Sequence, residues 1–319
     1  MSGGIVATTI RHPGDTHAQR VLLVDTACGF ALEVLPDRCL DLGDAVYRGA
    51  PVSWRNAVPL RHPADLPENT WRARFIGGLL ATCGLDNVGP ACTDEGVAHP
   101  QHGRIGGEPA REVAFGSGER FGRCVHWIRG TIAQPGSGLV LRRRLVIADD
   151  APTVRLTDAV TNEGTTPAVL LVQYHCNFGP PLVTPGGEIR VPDSVVTPRD
   201  PQAAAAIDRW RAIEASRPGE VERVFRHEQQ GERWSESAIL PPSQLAGMAV
   251  RVRARRHTLP WLWQWRVFAT EQFVVGLEPA NCAVKPRSRA RAHGALPVLA
   301  PGATIRFGVE IRFVMKEQR

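Results

Sequence analysis

No Cys-x-x-Cys pair occurs among the seven cysteines, which are odd in number and scattered from Cys28 to Cys282. That scatter argues against a zinc ribbon or a thioredoxin-type motif, and the economical expectation is reduced thiols in a cytoplasmic protein. No apolar run approaches the roughly 20 residues that a membrane helix needs. The first ten residues have no basic stretch followed by an apolar one and a cleavage site, so no secretion signal is expected. Neither Gly-x-Gly-x-x-Gly after a strand nor Gly-x4-Gly-Lys-Ser/Thr is present, and the glycine-rich stretch from Phe75 to Gly89 is therefore not a nucleotide loop. The formal charge of +6 is spread along the chain with no interleaved aromatics, which argues against a nucleic-acid partner. Long helices have little room among 31 glycines and 26 prolines.

What the chain does contain is strand. Short apolar or alternating runs recur between turn residues, among them Phe30 to Leu35, Leu139 to Ile147, Ala168 to Tyr174 and Ile305 to Phe313. Period-two alternation marks strands with one buried face. With 43% hydrophobic residues over 319 positions, the pattern predicts an all-β, large antiparallel architecture of two packed sheets, as one domain over residues 1–319. Arg142, Arg143 and Arg144 interrupt an apolar strand, so at least one of them is expected to face inward or to lie on a sheet edge. The exception to strand is a short helical or irregular excursion near 201–216, with Pro201 at its start and Pro218-Gly219 beyond it. Residues 59–67 and 84–107 read as long loops, the places where sites are built on β scaffolds.

Three stretches carry proton-handling side chains beside glycine, proline or an amide. They are Ala98–Arg104 (AHPQHGR), Gln173–Pro181 (QYHCNFGPP) and Val275–Asn281 (VGLEPAN). His102, His175 and Glu278 could converge into an acid/base site, because catalytic groups usually meet only in the fold. Taken singly, each has a plain reading too: Glu278 as a strand-end ion pair, His175 as a buried histidine bonded to backbone. His99 and His102 have a His-x-x-His spacing, but Pro100 and Gly103 argue against a helix and no further ligand completes a metal set. Asp86 and Asn87 either bond sugar hydroxyls or satisfy a turn. Trp261, Trp263 and Trp265 share one strand face, which fits an inter-sheet core or, at the strand end, a platform for a pyranose, with Gln264 on the opposite face.

In this order the pieces resemble the aldose 1-epimerase (galactose mutarotase-like) superfamily, closest to its uncharacterised DUF4432-like branch. The resemblance rests on Pro36–Leu42 (PDRCLDL), Gly77-Gly78, Gly84–Gly89 (GLDNVG), His102-Gly-Arg104, Tyr174–Pro181, Gln264-Trp265 and Leu277–Asn281. It spans about Phe30 to the C-terminus. It implies a β-supersandwich whose cleft binds a monosaccharide or sugar derivative with no cofactor, in a monomer or homodimer, and the incomplete ligand set argues against a metal. By the same resemblance Glu278 takes the proton of the anomeric hydroxyl, His175 protonates the ring oxygen and His102 binds the substrate. Arg74 or Arg104 would clamp a hydroxyl, with Asp86, Asn87, Gln264 and Trp265 as further contacts. The second motif departs from the usual His-x-Tyr-Phe-Asn, reading His175-Cys-Asn-Phe-Gly, which leaves the sugar open. The rival readings are a non-catalytic carbohydrate-binding module and a metal-assisted isomerase or lyase acting on an oxidised sugar.

Overall fold

Alternating strands do pair into two large sheets in the computed structural model, which describes residues 3–67, 71–230, 233–242 and 247–316. Among the described residues, one sheet has eleven strands and the other eight, with three two-stranded ribbons beside them. The strand Thr304–Lys316 shows how alternation builds the core: Phe307, Val309, Ile311 and Phe313 are buried, while Arg306 and Arg312 on the other face are exposed. Buried side chains of both sheets, Leu32 and Phe178 from one, Ile128 and Leu141 from the other, form a continuous apolar layer between them.

Arg143 is the inward-facing arginine of its triplet, and it crosses that layer. Its guanidinium donates to Asp158 (2.7 and 3.0 Å) on its own sheet. It also donates to Asp41 (2.9 Å), Thr82 Oγ1 (2.9 Å) and the Cys39 carbonyl (2.9 Å) on the eleven-stranded side. Tyr174 donates its hydroxyl to the same Asp158 at 2.8 Å. A fully buried cation is tolerable only when paired and bonded in this way.

Three local expectations need correction or refinement. Of the 201–216 excursion, only Pro201–Ala204 is α-helical and Ile207–Arg209 is a 3-10 turn. Asp200 caps the start by accepting from Ala203 N at 2.9 Å. The helix stops because later carbonyls have tertiary partners: Arg266 Nη1 bonds those of Arg209, Trp210 and Ala212, and Gln264 Nε2 bonds that of Trp210. The tryptophans of the strand Trp261–Phe268 are not inter-sheet core. Leu262 and Phe268 enter that core, whereas Trp261, Trp263 and Trp265 cluster on the sheet's other face. The 84–107 loop is more ordered than expected, containing a hairpin of Cys92–Asp94 with Val97–His99 and a 3-10 turn at Ile105–Gly107.

Candidate active site

One rung of the large sheet places the acid/base pair. His175 lies on the strand Leu171–Phe178 and Glu278 on Phe273–Ala280. Their antiparallel register sets Gln173 opposite Ala280 and Cys176 opposite Leu277, so His175 stands directly across from Glu278. Residues opposed in this way hold their Cβ atoms about 5 Å apart whatever their separation in sequence. His175 Nε2 is 3.1 Å from Glu278 Oε1. The two atoms are not aligned as a hydrogen bond, and Oε1 has no other hydrogen-bond partner among the described residues. The other carboxylate oxygen, Oε2, accepts from Gln173 Nε2 at 2.6 Å.

Asn177 fixes the tautomer of the imidazole. Its amide donates to the carbonyls of Gly78 (3.1 Å) and His175 (2.9 Å), which turns Oδ1 toward His175 Nδ1 at 2.6 Å. Nδ1 is therefore the donor, and in the neutral ring the lone pair of Nε2 faces Glu278. Room for the carboxylate comes from Gly276, where a Cβ would stand 2.5 Å from Glu278 Oε1 and 3.2 Å from the Trp265 ring.

His102 reaches the same place from the 84–107 loop, between the strand Val97–His99 and the 3-10 turn at Ile105–Gly107. Its φ of 57° lies in the left-handed region, held by bonds from His102 N to the Gly89 carbonyl and from Gly84 N to its own carbonyl. Trp71 packs on its ring with centroids 4.5 Å apart, and the His175 ring stands edge-on at 6.1 Å. Phe75 and Trp265 box His175 at 4.9 and 5.3 Å. These groups line a cleft of about 1120 Å³ whose rim includes Arg199 and Glu222. Glu222 accepts from Trp265 Nε1 (2.9 Å) and from Arg199 Nη2 (2.7 Å), steadying the tryptophan edge.

Burial dominates the electrostatics. It pushes His175 down to about 4 and His102 down to about 3, the latter also lowered by its imidazole neighbour. The same burial, reinforced by Glu222 and opposed by Arg199, raises Glu278 well above the usual carboxylate range.

A family model for a domain of unknown function, DUF4432, matches residues 16–313. The chain belongs to the DUF4432 family. A search of curated proteins returned no match. Among solved structures, a "putative aldose 1-epimerase" from Klebsiella pneumoniae subsp. pneumoniae MGH 78578 superposes with a TM-score of 0.88 at 19% identity, covering 98% of this chain and 87% of that one. A galactose mutarotase-like protein from Clostridium acetobutylicum gives 0.65 at 12% identity, with 98% and 99% covered. A galactose 1-epimerase from Lactobacillus acidophilus NCFM gives 0.62 at 11%, again with 98% and 99% covered. The fold of this DUF4432 chain is thus the galactose mutarotase-like β-sandwich.

Of the residues singled out in the sequence, the cleft gathers His102, His175, Glu278 and Trp265. It does not gather Arg74, Asp86, Asn87, His99, Arg104 or Gln264. Asp86 and Arg104 pair with each other at 2.6 Å, Arg104 also bonds the Ala98 carbonyl, and His99 turns to Asp86 at 3.3 Å. Asn87 donates to the carbonyls of Pro90 and Pro100. These side chains brace the loop that carries His102; the turn reading of Asp86 and Asn87 is the one the geometry supports. Arg74 packs its guanidinium against Gly107, bonds the Arg104 carbonyl and lines a smaller cavity behind His102. Gln264 points the opposite way, into the inter-sheet core, where it accepts from His227 Nε2 at 2.9 Å.

Sequence reasoning overlooked Trp71, Phe75, Gln173, Asn177, Arg199, Glu222 and Gly276 in this DUF4432 site. Gln173 and Asn177 were detectable: both are two residues from His175 in a strand and so share its face. Arg199 and Glu222 sit in irregular chain on either side of the excursion and carry no local signal.

Proposed function

We propose that this chain is a cofactor-independent carbohydrate epimerase of the aldose 1-epimerase type, exchanging the anomers of a monosaccharide or sugar derivative. The observation that carries the reading is the opposition of His175 and Glu278 on one rung, 3.1 Å apart and facing a cleft. Glu278 Oε1, which has no aligned partner, takes the proton of the anomeric hydroxyl, and His175 Nε2 delivers one to the ring oxygen. The bond from the anomeric carbon to the ring oxygen breaks as the carbonyl forms. Rotation about the neighbouring carbon–carbon bond exposes the other face, and closure returns both protons. His102 binds the sugar beside the ring oxygen, and Trp265 offers an aromatic wall to the pyranose. The aldose-epimerase-like neighbours in fold and the resemblance of the His175 and Glu278 motifs support the same reading.

The test is anomer exchange followed by NMR over a panel of aldoses, uronic acids and other sugar derivatives. The protein should accelerate exchange for at least one of them, and Glu278→Gln should lower that rate by roughly 100- to 10,000-fold, the usual contribution of a placed acid or base. If no sugar responds to the wild-type protein, the proposal fails.

A further inference from the structure

Gln173 is fully buried, lies on the same strand face as His175 and does not line the cleft. Its amide is only half satisfied: Nε2 donates to Glu278 Oε2 at 2.6 Å, while Oε1 has no hydrogen-bond partner among the described residues. Burying an amide in that condition is unfavourable compared with an apolar side chain of the same shape. Its neighbours across the two adjoining strands, Cys83 and Ala280, are small and offer the amide no side-chain hydrogen bond, so packing alone does not call for an amide. The amide stands between the carboxylate it bonds and the second imidazole it acts on, and Gln173 Oε1, Glu278 Oε1 and His102 Nδ1 have no hydrogen-bond partner among the described residues. Its interaction with His102 opposes the fall that burial imposes on that ring.

We propose that Gln173 is a positioning residue of this site, clamping one oxygen of Glu278 from beneath so that the other is presented to the substrate. Its kinetic consequences rest on the epimerase reading, but the clamp itself does not. The diagonal relation across the ladder explains the geometry: Gln173 is two residues from the rung partner of Glu278, a separation that two long side chains can close. A hydrogen bond donated to a carboxylate favours its charged form, so the amide also limits how far burial raises Glu278.

The experiment is an NMR titration of the full chain with 13C-labelled glutamate, without sugar, Glu278→Gln identifying the resonance. In Gln173→Leu the Glu278 midpoint should move up by about one pH unit, because the donor to the charged form is gone. Where the wild-type protein turns over a sugar, kcat should fall about 10- to 100-fold with KM changed less than threefold, since a mis-aimed base weakens the transition state more than binding. The alkaline limb of kcat/KM should move upward with the midpoint. An unchanged midpoint in folded Gln173→Leu overturns the proposal. A shifted midpoint in a protein that accelerates anomer exchange of no sugar in the panel keeps the clamp and removes the epimerase reading. If the leucine variant does not fold, Gln173→Glu keeps the shape: two touching carboxyls should share a proton and raise one midpoint, and two ordinary carboxyl titrations would refute the clamp.

Discussion

Burial acts in opposite directions on the two halves of the candidate pair, raising Glu278 and lowering His175 to about 4. Over a window between those values the pair holds one proton, and the ionised arrangement needed for catalysis has the same count. It is reached by moving a proton between the two groups, without exchange with solvent. Below about pH 4 a second proton is bound, and above the raised value of Glu278 the last one leaves. The kcat/KM profile is therefore expected to rise through about pH 4 and to fall well above the ordinary carboxylate range. An acid limb near the reference imidazole value of roughly 6.5 would contradict this assignment. The chemical types were legible in the sequence because His102, His175 and Glu278 stand in stretches that also hold glycine and proline, although His175 and Glu278 lie within strands and not at their ends. What was not legible is the burial that sets their protonation, since it comes from Trp71, Phe75 and Trp265, contributed by distant segments.

Elements were readable where one face alone is buried and became unreadable where a tertiary partner intervened. Period two identified Thr304–Lys316 and Leu139–Ala148, and it placed Gln264 opposite its flanking tryptophans. It could not say which face of that strand meets the other sheet, because three tryptophans fit a core as well as a cleft wall. The excursion fails for a different reason. Ala203 to Ala206 have high helix propensity, yet a propensity of tenths of a kcal/mol per residue yields to a buried guanidinium that bonds three carbonyls. Burial lowers Arg266 to about 10, which still leaves it charged at neutral pH and able to hold those bonds. Arg266→Met should free the carbonyls of Arg209, Trp210 and Ala212. Hydrogen exchange in residues 200–216 should then speed up at least tenfold, while the amides of Leu171–Phe178 keep their protection. Equal acceleration in both segments would mean that Arg266 supports the sheet rather than the excursion.

At the scale of the whole molecule, the two sheets are joined by apolar contact and by one buried ionic cluster around Arg143. That two sheets would pack was evident from alternation, and an inward arginine was evident from the triplet. The partners were not, because Asp41, Thr82, Asp158 and Tyr174 come from four strands that no local pattern relates. Arg143→Met leaves Asp41 and Asp158 without their countercharge and should cost about 3 to 5 kcal/mol, measured by urea unfolding at pH 7. Burial already raises Asp41 despite the opposing pull of Arg143, so removing the arginine raises it further. A carboxyl raised in the folded state binds more protons there than in the unfolded chain, and its stabilising contribution falls as pH rises through the folded value. The deficit of Arg143→Met should accordingly be smaller at pH 5 than at pH 7. His102, His175 and His227, lowered to about 3, 4 and 4 by burial, act in the opposite sense. Each takes up a proton on unfolding below about pH 6.5, which weakens the wild-type and variant proteins alike and cancels in their difference. A deficit that stays constant or grows toward pH 5 would show that Arg143 serves the sandwich by filling space and not by neutralising the carboxylates that face it.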